Sequence, residues 1–544
     1  MNLGSKPDHP ALDLFNSSLH WKDQYGEEVV ARDFLREVVF PMPGAETNIV
    51  DMAPHTAIVG STGSGKTILL KHFMRSLLSA PYEEGGLQFR AVVYDPKREL
   101  FPFLRMMQIP ESQIIVTHPF DSRSASWDIA ADFTEPAQIE ELAELIVPKA
   151  ENPIHGEGAH FFDNSARIIV QDVIEVFHHI RPRLWELRDV VEVLVNLDYL
   201  RAVLAKTSSG RDTWTAYLEP LDRDRGDRTG NSILATLHSY ARPFQSLASL
   251  WHRAERKFSL DQWHVGSGIL LLGADPRRER TLQRINRLLL RRISQLVLGR
   301  GDERPIDLTW FFLDEIREAG KLHGLRQLMT EGRSKGARVV LGFQDIEGLY
   351  SLYGEHEAGE MVGLCANQLL LHIDNPKTRT WASDFMGEAE IPDVSKTESE
   401  TQSRDGPTWS RSMQLSVGMR PNVLPVEFHK LPLGNPFRGV PAWFAVPGTR
   451  NKAILDSEAA KEAVFFEESC EAEAFSARPS ADQQRCVWGA EDLQRFDLNT
   501  KPSVKDPEDT TGRPGLRLGS LEGELIDLDA DDEFDGDSDD EEIL

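Results

Sequence analysis

The stretch Gly60-Ser61-Thr62-Gly63-Ser64-Gly65-Lys66-Thr67 limits what this chain can fold into more than any other. It fits G-x-x-x-x-G-K-[S/T], and its flanks match as well as its letters. Before it, Thr56–Val59 is an apolar run short enough for a buried strand. After it, Ile68–Leu78 carries apolar residues at helical spacing. Strand, glycine turn and helix together let backbone N–H groups curl round a phosphate, with the positive end of the helix behind them. In such a loop Lys66 reaches the β/γ-phosphates and the Thr67 hydroxyl ligates Mg2+. A chance match in a glycine turn would lack these flanks, so the stretch reads as a nucleotide site.

A second landmark is Thr309-Trp310-Phe311-Phe312-Leu313-Asp314-Glu315, about 250 residues beyond Lys66. Bulky apolar residues followed by Asp-Glu make the strand that completes such a site. Asp314 would hold the Mg2+ shell and Glu315 would polarise the attacking water. Simple GTPases and kinases do not space these parts so widely, whereas oligomeric motor ATPases with insertions do. Gln344 ends the next apolar strand, which suits a γ-phosphate sensor or a plain strand-end hydrogen bond. Arg333 opens the loop before that strand, where it would reach a neighbour's nucleotide or form a surface ion pair. The residue types leave both choices open.

The rest of the chain alternates in character. Leu87–Tyr94 reads as a strand ending in the charged Asp95-Pro96-Lys97-Arg98-Glu99, where open α/β sheets place ligands. Ser112–Thr117 is another short strand. From about Phe133 to Arg256 apolar spacings of three and four dominate, which predicts an all-helical insertion. The sheet pattern resumes at Gly268–Gly273. The basic Arg277-Arg278-Glu279-Arg280 follows, either a solvated helix start or a DNA contact in a channel. Ala366–Ile373 and Ala442–Val446 read as further strands, and residues 395–412 as a flexible polar loop. Beyond Arg450 the chain is polar, with the marks of disorder from about Phe475.

Charge and cysteine usage narrow the class. Net charge is −27, and the thirteen acidic residues between Leu521 and Leu544 leave −14 for the remainder. Net charge of this sign does not favour bulk attraction to DNA, so nucleic-acid contact needs a local basic lining such as a ring channel. No apolar run approaches the ~18 residues of a membrane span, and Met1–Asp8 lacks a signal-peptide core. Cys365, Cys470 and Cys486 are too scattered for a disulfide frame or a cysteine zinc site, which points to the reducing cytosol.

Taken together, these residues resemble the type IV coupling proteins, the hexameric DNA-translocating ATPases of conjugation and type IV secretion. The resemblance rests on His55–Thr67, on Phe312–Glu315 followed by Leu328–Gln344, on Pro119-Phe120-Asp121 with Trp127-Asp128, on Asp374–Lys377, and on Val423-Leu424-Pro425. It implies that Arg333 is a trans-acting arginine finger and Gln344 the sensor. Family members usually begin with two transmembrane helices and commonly read Asp-Pro-Lys-Gly where this chain has Arg98.

The resulting expectation is a RecA-like α/β fold: a P-loop NTPase with a mainly parallel twisted sheet and an inserted all-α domain. Its parts would be an N-terminal segment (1–50), motor domain (51–132 and 257–450), helical insertion (133–256) and a largely disordered tail (451–544). The expected activity is ATP hydrolysis with Mg2+ by a hexamer that moves DNA. Relaxosome or secretion-substrate proteins and a membrane-bound channel component are the expected partners, recruited through the acidic tail, with Phe534, Ile543 and Leu544 among its carboxylates. The expected location is the cytoplasm, peripheral at the inner membrane. A chromosome-pumping ATPase of segregation or defence and a nucleotide-gated docking receptor are the alternatives.

Overall fold

The computed structural model describes residues 39–42, 45–48, 55–78, 90–148, 157–223, 227–301, 308–403, 406–446, 449–455, 461 and 472–498. Residues 1–38, Cys470 and the acidic end, with Phe534, Ile543 and Leu544, lie outside the described residues. In chain order the strands are β1 (Val39–Met42), β2 (Ala45–Asn48), β3 (His55–Val59), β4 (Arg90–Asp95), β5 (Ile114–Val116), β6 (Ala125–Trp127) and β7 (Arg256–Phe258). They continue with β8 (Gly268–Gly273), β9 (Thr309–Leu313), β10 (Ala337–Phe343), β11 (Asn367–Leu370), β12 (Glu388–Ser403), β13 (Gly406–Pro421), β14 (Val440–Val446) and β15 (Thr449–Leu455).

Nine of these strands form one sheet in the order β15-β14-β11-β3-β10-β9-β4-β8-β5. The seven from β11 to β5 run parallel. β14 and β15 extend the β11 edge in antiparallel fashion. Parallel strands are buried on both faces, which is why β9 reads as an unbroken apolar run. Its successive side chains point to opposite sides. Trp310 and Phe312 join a core with Ile58 and with Phe73 of α1 (Lys66–Leu78). Phe311 and Leu313 join the other core, which continues into the helical layer.

Between β6 and β7 the described elements are helical. The longest is α2 (Glu157–Ile180), which buries Ala166, Ile169, Val170, Val173, Ile174 and Phe177. That spacing of threes and fours gives one apolar stripe. α3 (Leu187–Val195) follows it. The two ends of the helical region meet as the parallel pair β6–β7. Asp132 holds this neck: it accepts from the Trp127 indole, the Ser259 hydroxyl and the Leu260 amide, while Arg292 donates to its carbonyl. Further helices used below are α4 (Glu279–Leu298), α5 (Leu325–Glu331), α6 (Pro376–Met386), α7 (Pro425–Lys430) and α8 (Ala490–Arg495). No helix among the described residues is long and apolar enough to cross a membrane.

Two expectations are corrected. Residues 395–412 belong to a β-hairpin, in which β12 and β13 pair from Glu388↔Pro421 to Ser403↔Gly406. The Ser/Thr content that reads as a loop is also compatible with strands, and cross-strand pairing supplies the backbone hydrogen bonds. Residues 472–498, expected to be disordered, dock on the helical layer. Trp488 donates to Asp189 at 2.9 Å and Arg485 forks onto Glu192 at 3.0 Å. Arg495 of α8 pairs with Asp189 at 2.5 Å, and Phe496 packs 4.6 Å from Phe177. Every one of these partners is roughly 300 residues away in sequence, so a local window sees polarity without its compensation. β15 likewise continues the sheet past the strand at Ala442–Val446.

Candidate nucleotide site

The loop Gly60–Gly65 leaves the C-terminal end of β3 and enters α1. Gly65 has φ +103°, and a Cβ there would lie 2.7 Å from the Val440 side chain. Glycine is therefore required both by conformation and by the close approach of β14. Lys66 is buried; its Nζ donates to the Gly60 carbonyl at 2.7 Å and lies 3.2 Å from a Glu315 carboxylate oxygen. The Thr67 hydroxyl donates to Asp314 at 3.0 Å. Neighbouring oxygens in an octahedral Mg2+ shell stand about 2.9 Å apart, so this pair fits one edge of that shell.

Asp314 and Glu315 follow β9, which is separated from β3 by β10. Burial pushes the Asp314 carboxyl upward, and the neighbouring Glu315 charge pushes it further. The Thr67 hydroxyl, Lys97 and Lys66 act against both. A bound cation would favour the ionised form in the same way. Glu315 sits at φ +47°, a left-handed conformation that a non-glycine residue adopts only when its surroundings hold it there. Gln344, directly after β10, accepts from the Thr62 hydroxyl at 3.2 Å. Residues 60–67, 314, 315 and 344 thus meet at the C-terminal ends of three neighbouring strands.

Arg333 does not join them. It precedes β10, whose first residue Ala337 pairs with Thr309 at the start of β9, so it lies at the opposite edge of the sheet and is exposed. The strands between span about 16–23 Å, beyond the reach of a side chain to its own loop. His55, at the same edge as Arg333, ties the start of β3 to α5 and β10. Its Nε2 donates to the Met329 carbonyl at 2.8 Å and its Nδ1 accepts from the Val339 amide at 3.2 Å. Burial lowers the His55 pKa to about 4, which keeps the ring neutral.

The turn after β4, the charged strand end expected near a ligand, supplies two residues with no individual role assigned from sequence. Lys97 Nζ lies 3.4 Å from the Thr67 hydroxyl; its position at a strand end was the available signal. Arg98 has φ +59°, the conformation that a glycine takes without strain. Its guanidinium bonds the Ala274 carbonyl at 3.1 Å and Asp275 at 3.3 Å, and lies 4.7 Å from the Phe475 ring centre.

Arg277, Arg278 and Arg280 come together with Phe120, Ser246 and Gln483 around an open cleft of about 470 Å3. They are not equivalent. Arg278 covers the Phe120 ring at 3.9 Å and donates to Gln483 at 3.0 Å. Arg277 caps Asp275 at 3.3 Å while remaining exposed, and Arg280 is exposed at the start of α4.

The same fold occurs in solved structures of a bacterial conjugative coupling protein. The unbound monoclinic form of TrwBdeltaN70 is 20% identical over 82% of this chain and 93% of that one, with a TM-score of 0.58. The plasmid coupling protein TrwB in complex with the non-hydrolysable ATP analogue ADPNP, and in complex with ADP and Mg2+, gives 20% identity and a TM-score of 0.59. Each match covers 82% of this chain and 95% of the other. No curated protein matches the chain. The pattern of the type IV secretion-system coupling protein DNA-binding domain matches residues 45–445, and the chain belongs to that family.

Proposed function

We propose that the chain is a Mg2+-dependent ATPase that assembles into a hexameric ring and moves DNA or a nucleoprotein substrate in conjugative transfer or type IV secretion. One observation carries the reading. Lys66 meets Glu315, Thr67 meets Asp314 and Thr62 meets Gln344 at the ends of β3, β9 and β10, in a chain of the coupling family. The complexes of TrwB with ADPNP and with ADP and Mg2+ support ATP and Mg2+ as cofactors. Thr67 and Asp314 would hold the cation, which when bound offsets charge on the β- and γ-phosphates. The amides of Ser61–Gly65 cradle the phosphates, and Lys66 leaves Glu315 to neutralise them. Glu315, released from that ion pair, orients the attacking water and accepts its proton. Gln344 relays the state of the γ-phosphate through Thr62.

In this reading Arg333 acts on a neighbouring subunit's nucleotide. Assembly is supported by the β12–β13 ribbon, where Trp409, Met413, Val417 and Met419 share one face and are 60–69% exposed. The motor would comprise residues 51–132 and 257–450 around the helical insertion 133–256, with Arg277, Arg278 and Arg280 as DNA contacts. The acidic tail would recruit relaxosome or substrate proteins at the cytoplasmic face of the inner membrane, where a membrane-bound channel component receives them. A chromosome-pumping ATPase would share the motor and differ in its partners.

The test is ATP turnover of the purified protein with and without DNA, alongside particle images with an ATP analogue and DNA. Strong stimulation by DNA and a ring enclosing it are expected. Lys66→Ala and Glu315→Gln should each lower turnover by at least about 100-fold, while Glu315→Gln still binds ATP because Thr67 and Asp314 remain. Nucleotide binding without turnover in the wild type would favour the docking receptor instead.

A further inference from the structure

Among the described residues, His372, Asp374 and His429 offer three ligand atoms that all lie within 4.8 Å of one another. His372 and Asp374 follow β11, and His429 stands near the end of α7. His372 Nε2 is 2.9 Å from Asp374 Oδ1, and His429 Nδ1 is 3.4 Å from the same oxygen. The two imidazole rings are 5.2 Å apart.

Counting protons shows what this arrangement lacks. His372 Nδ1 lies 2.7 Å from the Leu431 carbonyl, which can only accept, so Nδ1 carries the ring's proton. In the neutral ring, Nε2 then points a lone pair at a carboxylate oxygen, which is also an acceptor. The His429 nitrogen faces that same oxygen. One cation among the three atoms would take that lone pair, the carboxylate oxygen and the His429 nitrogen together. Neighbouring donors on a tetrahedral Zn2+ stand about 3.3 Å apart, close to the 2.9 and 3.4 Å found here. The bond from His372 Nδ1–H to a backbone carbonyl is also the contact that orients a metal-binding histidine and leaves Nε2 as the ligand.

We propose that His372, Asp374 and His429 form a three-ligand site for a divalent transition-metal cation of the Zn2+ class. Two nitrogens and one carboxylate suit such an ion, whereas Mg2+ takes oxygen donors. Three protein ligands leave a position for water or an anionic group. The site abuts the nucleotide loop: the Asp374 amide donates to the Ser61 hydroxyl at 2.8 Å, and the Ser61 amide donates to the His372 carbonyl at 2.8 Å. Metal here ties α7, and the segment after it that packs on Gly65, to the edge of that loop. The assignment does not depend on whether the chain hydrolyses ATP.

The test uses the full chain, stripped with a chelator and free of nucleotide, at pH 7.5 in excess Mg2+. Excess Mg2+ competes for oxygen donors such as Thr67 and Asp314. Co2+ is the spectroscopic probe and Zn2+ the competitor. One Co2+ per chain, with the intense visible absorption of a tetrahedral centre and displacement by Zn2+, is expected. His372→Ala, His429→Ala and Asp374→Asn should each weaken binding by at least about tenfold. His429→Asn, at an exposed position, serves as the variant whose fold is least at risk. Zn2+ should raise the melting temperature of the wild type but not of His429→Asn. Unchanged Co2+ affinity in these variants, or no binding in excess Mg2+, overturns the assignment.

Discussion

At the scale of single residues, two positions show how the tertiary environment holds a conformation or a protonation state. Arg98 stands in a left-handed turn, and its contacts with Asp275 and Phe475 offset that strain. Arg98→Ala keeps the strain and loses the contacts, whereas Arg98→Gly loses both together. Thermal melts should therefore rank Arg98→Ala below Arg98→Gly, by about 1 kcal/mol; the reverse order would refute the strain. His55 and His118 are both buried, which lowers each pKa from 6.5 to about 4. Between pH 4 and 6.5 the unfolded chain binds protons that the fold excludes, so their stabilisation is lost as pH falls through that window. Asp95 acts in the opposite sense: burial raises its pKa to about 6, so its contribution declines as pH rises from about 4 to 6. Asp132 and Asp314 shift in the same sense as Asp95, so the histidines contribute a downward slope of melting temperature on acidification below pH 6.5 that is read against the opposite slope of the carboxyls. His55→Gln should flatten that slope, and an unchanged slope would remove His55 from the account.

Among the elements, the segment 472–498 departs furthest from its local composition. Trp488 and Phe496 fill the groove beside α2 and α3, and Arg485 and Arg495 meet the buried carboxylates Glu192 and Asp189. Removing Trp488 leaves a cavity and takes a donor from Asp189. Trp488→Ala should cost the docked segment about 3–5 kcal/mol and release it to protease. Limited digestion followed by mass spectrometry reads this directly: new cleavage between Ala472 and Leu498 is expected, and wild-type resistance would show that the docking does not depend on the indole. The β12–β13 hairpin is the counterpart case. There a polar stretch acquires order from its partner strand and presents an apolar face outward.

For the whole molecule, the decisive fact is the separation of Arg333 from the loop at Lys66 by the length of the parallel strands. Within one subunit the guanidinium cannot serve its own nucleotide, so the proposed ring requires complementation. Arg333→Ala and Lys66→Ala should each be inactive alone. Mixed, they should regain turnover wherever an intact Lys66 site meets an intact Arg333, with a maximum at intermediate ratios. Verified mixed oligomers that stay inactive at every ratio would rule out a trans role. His55 enters at this scale too, because it joins the start of β3 to α5, the helix that leads into the Arg333 turn.

Read alone, the sequence determined the nucleotide loop, the Asp314-Glu315 strand end, the parallel α/β core and the family. Contiguous motifs of this kind encode their geometry locally. Glycine turns, apolar strand runs and helical spacing are set by backbone sterics within a few residues. Which edge of the sheet holds Arg333, the reach of Lys97 to Thr67, the strained turn at Arg98, the docking of 472–498 and the His372–Asp374–His429 group emerged only in the folded chain. Most of these depend on partners that packing, and not chain proximity, brings together. Their residues look like ordinary surface charge until a distant strand or helix supplies the other half of the contact.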